Sequence, residues 1–168
     1  KVTAEKILMT YPEDRLAELF KKYGELHQSK LLARKIVSLR KFGLLKTTTD
    51  LRKLVEETYH WVPQKNRLHP AARVFQALRI EVNQELEGLD SFLEELARKC
   101  QPGTRLVVIS FHSLEDRLVK TAWQHLSSSE TGQPVVKILT KKPLRPGPEE
   151  IEANPRSHSA KLRAVERI

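Results

Sequence analysis

Cysteine is nearly missing from this 168-residue sequence, where Cys100 stands alone. One thiol excludes an intramolecular disulfide framework and a cysteine-based zinc site, and it fits a reducing compartment. Glycine is scarce as well. The six are Gly24, Gly43, Gly88, Gly103, Gly132 and Gly147, and the closest two stand 15 residues apart. A loop that cradles a phosphate or a dinucleotide needs glycines a few residues apart, so none of the usual kind can be written here. No run approaches the roughly 18 apolar residues of a membrane-spanning helix, which excludes an integral membrane protein of that kind. Ser/His/Asp arrangements, metal-ligand spacings and paired carboxylates do not rise above chance. The chain opens on Lys1, with no signal or transit segment ahead of it, as expected of a processed or truncated chain.

What is abundant is positive charge. Lys and Arg number 30 against 21 Asp and Glu, a net charge of +9 and a pI near 9.8. That balance points to an acidic partner, nucleic acid first, although an excess of this size also serves solubility alone. Hydrophobic residues make up 39% of the chain, enough for an ordinary core.

Residues 1 to about 60 read as helices. Pro12, Glu13 and Asp14 mark a helix start, Leu16, Leu19, Phe20 and Tyr23 recur at helical spacing, and Gly24 ends the segment. A second helix runs from about His27 to Lys41, with Lys30, Arg34, Lys35, Arg40 and Lys41 on its polar side and Gly43 beyond it. Thr49 or Asp50 is expected to cap a third. Residues 61–72, with Pro63 and Pro70, form a connector. A long helix is then expected over 71–100, because Phe75, Leu78, Val82, Leu86, Leu89, Leu93 and Leu96 form one apolar stripe.

After the Pro102-Gly103 turn, Leu106 to Ile109 reads as a buried parallel strand. Ser113 is the expected N-cap of the next helix, with Asp116 completing a capping box. A loop at 127–133, a strand at 134–140, a Pro-rich irregular stretch at 141–160 and a last strand at about 161–167 follow. From residue 71 this order is the back half of an α/β sheet domain, with an unusually small sheet.

Three stretches carry candidate chemistry. At the end of the first strand, Ser110 and His112 lead into a helix N-terminus, which favours an anion. His112 then serves as acid, base or phosphate partner, or is only a surface loop residue. On the long helix, His69, Arg73, Gln76, Arg79 and Asn83 offer guanidiniums and amides suited to phosphates and base edges, or else they brace neighbouring loops. Near the C-terminus, Arg156, Ser159 and Lys161 suit phosphate contact, or else belong to a loop tucked against the sheet.

HPAARVFQALRIEVNQEL (69–86), PGTRLVVISFHSLEDRLVK (102–120) and NPRSHSAKLRAVER (154–167) together resemble the bacterial RsmH family, also called MraW. TKKPL (140–144), KYGE (22–25) and TTTDL (47–51) extend the likeness over essentially the whole chain. Ala72, Val74 and His158 depart from the family pattern in small ways. The resemblance implies an S-adenosylmethionine-dependent methyltransferase acting on the exocyclic N4 of a cytidine in the decoding centre of small-subunit ribosomal RNA. It implies a class I Rossmann-like α/β fold with an all-α inserted domain, residues 1–64 being most of the RNA-recognition insert and 65–168 the C-terminal half of the sheet domain.

The family's Gly-rich loop, ribose-binding acid and Ser-Ser-Pro motif have no counterpart here and are expected upstream of Lys1. This chain then looks like the C-terminal portion of a longer enzyme, inactive alone. Ser110, His112, Arg79 and Asn83 fall near the active-site rim, with no catalytic residue assigned. The expected partner is small-subunit ribosomal RNA or the ribosomal subunit, in the bacterial cytoplasm or, in a eukaryote, the mitochondrion. An incomplete sheet has an edge liable to pair, so a dimer, a swapped assembly or a co-purified N-terminal fragment is expected. A catalytically silent RNA-binding fragment and a helical protein-interaction module are the rival readings.

Overall fold

The computed structural model describes residues 2–63, 68–128 and 132–168. By packing, the chain divides into two compact units, Lys1–Glu85 and Leu86–Ile168. That boundary falls later than the 64/65 division expected from the sequence.

The first unit is all helical among its described residues: α1 (Ala4–Thr10), α2 (Glu13–Gly24), α3 (Ser29–Lys41), α4 (Thr48–Tyr59) and α5 (Pro70–Asn83). Helix α2 begins after Pro12 with Glu13 and Asp14 in its first turn and ends with Lys21 and Lys22 in its last, both placed to suit the helix dipole. Helix α4 opens on a capping box, in which Thr47 accepts from Asp50 N–H and the Asp50 carboxylate accepts from Thr47 N–H. The cap therefore lies two or three residues before the expected Thr49 or Asp50. The core gathers Ile7, Leu16, Phe20, Leu32, Ile36, Leu51, Val55, Val74 and Leu78 from all five helices. Helix α5 lies in this core through Ala71, Val74, Ala77 and Leu78, which is why the boundary follows it.

The second unit is a mixed α/β structure. It contains α6 (Leu89–Lys99), β1 (Arg105–Ser110), α7 (Ser113–Ser127), β2 (Val136–Ile138), α8 (Pro148–Ala153), a short 3-10 helix (Pro155–Ser159) and β3 (Lys161–Arg167). The sheet order is β1-β3-β2. Leu106 pairs with Val165 and Ser110 with Lys161 across β1 and β3, and Ile138 pairs with Val165 across β2 and β3. Leu93 and Ala97 of α6 and Val119, Ala122, Trp123 and Leu126 of α7 pack with Val136 and Val165, flanked by Leu106 and Val108.

Three expectations are corrected. The long helix over 71–100 is two helices: Gln84 (φ 53°) and Gly88 (φ 72°) both take left-handed backbone, ending α5 and capping α6. The apolar stripe runs through the break because α5 feeds one core and α6 the other. Strand β1 is not a buried parallel strand. Its only described neighbour, β3, is antiparallel, and Val107 and Ile109 are 56% and 54% exposed on the face away from α7. The stretch 141–160 is not mostly irregular, since α8 and the 3-10 helix occupy it. Part of the expected 127–133 loop lies outside the described residues, as do positions 64–67 of the connector.

Candidate functional site

The α5 series lies entirely in the helical unit. Pro at the first helical position makes His69 the N-cap. Its Nδ1 accepts from Ala71 N–H at 3.1 Å, so Nε2 carries the proton and donates to Glu56 Oε1 at 2.9 Å. Gln76 donates its amide to the Tyr23 carbonyl at 3.4 Å. Arg73 is exposed.

Arg79 and Asn83 converge on one acceptor. The left-handed turn at Gln84 brings Glu85 back over the helix end. Arg79 then donates from Nε and a terminal nitrogen at 2.8 and 3.0 Å, and Asn83 donates its amide at 2.9 Å. The two residues border a 650 Å³ cavity walled by Leu8, Met9, Leu51, Phe75, Leu78 and Val82. A fixed guanidinium and amide at the rim of an apolar space suit a planar, hydrogen-bonding ligand group.

In the α/β unit, the candidate anion site is already filled by the chain itself. The capping box is one residue earlier than expected: His112, not Ser113, is the N-cap, and Glu115, not Asp116, completes it. His112 Nδ1 accepts from Glu115 N–H at 3.3 Å, while the Glu115 carboxylate accepts from the N–H groups of Phe111 at 2.9 Å and His112 at 3.3 Å. The His112 side chain is 8% exposed, and Nε2 lies 3.2 Å from Glu115 Oε1. It is a buried cap, not a surface loop residue. The interaction with His112 leads in holding the Glu115 carboxyl down at about 2; burial opposes it and the two backbone donors reinforce it.

Asp116, freed from capping, faces β3. It accepts from Arg163 at 2.6 and 3.2 Å and lies 3.6 Å from Lys161 Nζ. Burial raises its pKa, but Arg163 and then Lys161 together outweigh it and hold the carboxyl below its ordinary range. Ser110 is buried, with its hydroxyl 3.4 Å from the Lys161 carbonyl. Arg156 and Ser159 are exposed on the 3-10 helix, while Ser157 between them is buried.

The structure thus links Ser110 to Lys161 and, through Asp116, to Arg163, while His112 pairs with Glu115 on the same helix start. Arg156 and Ser159 are hydrogen-bonded into neither set among the described residues. Arg163 and Glu115 are the residues the sequence reading missed. The signal was the alternation along β3: Lys161, Arg163 and Val165 share the face toward α7, so a buried arginine there required an acid opposite.

Charge is unevenly shared. Residues 1–85 hold 17 Lys and Arg against 10 Asp and Glu, net +7, whereas residues 86–168 hold 13 against 11, net +2. Three lysines of α3, Lys30, Lys35 and Lys41, have no carboxylate partner among the described residues, whereas Arg34 meets Glu13, and Arg40 donates to the carbonyls of Leu8 and Tyr11. No helix among the described residues is long and apolar enough to cross a membrane.

Comparison with known proteins agrees with the motifs. The chain is 46% identical over 99% of its length to a ribosomal RNA small subunit methyltransferase H from Trichodesmium erythraeum, covering 56% of that protein. It is 46% identical over 98% of its length to one from Thermomicrobium roseum, covering 53%, and 45% identical over 99% to one from Carboxydothermus hydrogenoformans, covering 57%. The chain therefore spans about half the length of the curated relatives it matches. The model of the MraW methylase family matches residues 1–168, and the chain belongs to that family.

Proposed function

We propose that this chain is the C-terminal, RNA-contacting part of an S-adenosylmethionine-dependent enzyme that methylates the N4 of a decoding-centre cytidine in small-subunit ribosomal RNA. The observation that carries this reading is the family match over the whole chain, to relatives named as ribosomal RNA small subunit methyltransferases. The concentration of positive charge on the helical unit supports it, because phosphate neutralisation supplies most of the affinity for RNA. On this reading residues 1–64 are the RNA-recognition insert and 65–168 the closing part of a Rossmann-like domain, working in the cytoplasm on ribosomal RNA or the small subunit.

The residues present do not fit the cofactor by themselves. The nearest glycines are 15 residues apart, and the 650 Å³ cavity combines an apolar wall with threonines and a few charged side chains rather than a glycine-lined cradle. No cofactor contact is assigned to this chain and no step is routed through one. Its own contribution is positional. The cytosine amine is a weak nucleophile because its lone pair is delocalised into the ring, so holding the base in place matters most. Arg79 and Asn83, locked by Glu85, together with Ser110, His112 and Lys161, are the proposed orienting groups. His69, Arg73, Gln76, Arg156 and Ser159 are proposed as RNA contacts or their supports.

The test is mass-spectrometric mapping of methylated cytidine in small ribosomal subunits incubated with the full-length enzyme and cofactor. N4-methylation of the decoding-centre cytidine is expected, with loss of most activity in Arg79→Ala. An unmodified cytidine overturns the reading.

A further inference from the structure

We propose that the cavity at the C-terminal end of α4 binds one unstacked nucleotide of single-stranded RNA, its base against Trp61 and its phosphate at Arg73. This rests on the RNA reading above and gives it a second point of contact.

Helix α4 ends on His60 in left-handed backbone, φ 46° and ψ 49°, a conformation that glycine holds at less cost. The turn carries Trp61 N–H to the Glu56 carbonyl at 2.9 Å. It also sets the indole against the His69 ring, with centroids 5.1 Å apart and an interplanar angle of 60°. His69 is itself fixed at both nitrogens, by Ala71 N–H and by Glu56. The indole is therefore braced from behind before any ligand arrives, which lowers the entropy lost on stacking.

His27 and Tyr59 line the same cavity, packed edge to face at 5.6 Å and 87°. Tyr59 contributes its ring to the wall, because its hydroxyl is buried beneath the surface of the cavity. Arg73 of α5 is exposed and supplies the guanidinium, and no carboxylate among the described residues lines the space.

Size and chemistry choose the ligand. The cavity is about 250 Å³, below the roughly 300–1,000 Å³ of sites for drug-sized molecules, so it suits a single base. Indole, phenol and imidazole rings beside a guanidinium match a π-face joined to a phosphate, the pairing by which unstacked RNA bases are held. An acidic peptide would use the guanidinium and leave the rings unmatched. The net +7 of residues 1–85 supplies the surrounding field for a polyanion.

The sequence has two tryptophans, and the second, Trp123, is 2% exposed in the core of the other unit. Quenching of indole emission by a bound base thus reports Trp61. The experiment titrates an eight-nucleotide oligouridine into the whole chain, following tryptophan emission and the anisotropy of a labelled copy. Saturable quenching is expected. Trp61→Ala should weaken binding roughly ten-fold and Trp61→Phe by far less, since a phenyl ring still stacks. Arg73→Ala should lower the salt dependence by about one phosphate contact. Circular dichroism checks each fold, and Trp61→Phe keeps the test valid if Trp61→Ala unfolds. RNA binding with unchanged emission, or unchanged affinity in folded Trp61→Ala, overturns the pocket and leaves the RNA reading standing. Absence of RNA binding defeats both. Equal quenching by an octaglutamate peptide overturns the assignment to a nucleotide.

Discussion

Arg163 and Asp116 are the clearest case of a residue pair whose chemistry is set by burial. A guanidinium 8% exposed and bonded at 2.6 Å leaves an uncompensated charge if either partner goes. Arg163→Ala should therefore cost about 3–5 kcal/mol in urea denaturation, whereas the double variant with Asp116→Ala should cost less than the two single losses added. A strictly additive double mutant would show that the two do not interact.

Glu115 adds a pH dependence of definite sign. Its carboxyl titrates near 4.5 when unfolded and at about 2 when folded, so it stabilises the fold fully above pH 4.5 and loses that contribution as the pH falls toward 2. Glu115→Gln should be destabilised by about 1 kcal/mol at pH 7 through the weakened cap. The gap between wild type and variant should narrow from pH 4.5 to pH 2 in thermal melts. A gap that stays constant over that range would refute the depressed carboxyl.

At the scale of elements, the break between α5 and α6 governs most of what differs from the sequence reading. Gly88 sits at φ 72°, where a side chain is strained although its Cβ would meet only Ser91 Oγ at 3.8 Å. Gly88→Ala should thus destabilise by about 1 kcal/mol, and Gln84→Gly, at φ 53°, should stabilise by a similar amount. Equal and opposite shifts in denaturation midpoint would test both; a neutral Gly88→Ala would mean that the turn relaxes. The stripe from Phe75 to Leu96 was legible, and so were the helical first sixty residues, because 3.6-residue periodicity is a local signal. Which core each half of the stripe enters was not, since periodicity says nothing about the partner. The same holds for β1. Its apolar run Leu106–Ile109 reads as buried on both faces, yet only Leu106 and Val108 meet the helices.

For the whole molecule, the face of β1 carrying Val107 and Ile109 is uncovered by any described residue of its unit. An apolar strand at the edge of a sheet, with an uncovered face, is liable to pair with another chain. We predict that the chain alone self-associates through this strand or co-purifies with an N-terminal fragment, and that Ile109→Lys shifts it toward monomer in sedimentation experiments. A monodisperse wild-type monomer with a single cooperative melt would contradict this.

The amino-acid sequence by itself determined the family, the helical character of the first unit, the last strand and the positive field, because motifs, periodicity and charge are carried by residue identity. Tertiary structure alone decided which polar groups face one another. It moved the capping box from Ser113 and Asp116 to His112 and Glu115, gave Asp116 to Arg163 and Lys161, and joined Arg79 to Asn83 through Glu85. It also set Trp61 on the ring of His69. Side chains 47 residues apart, as Asp116 and Arg163 are, meet only when a helix and a strand are packed face to face, and no local pattern records that meeting.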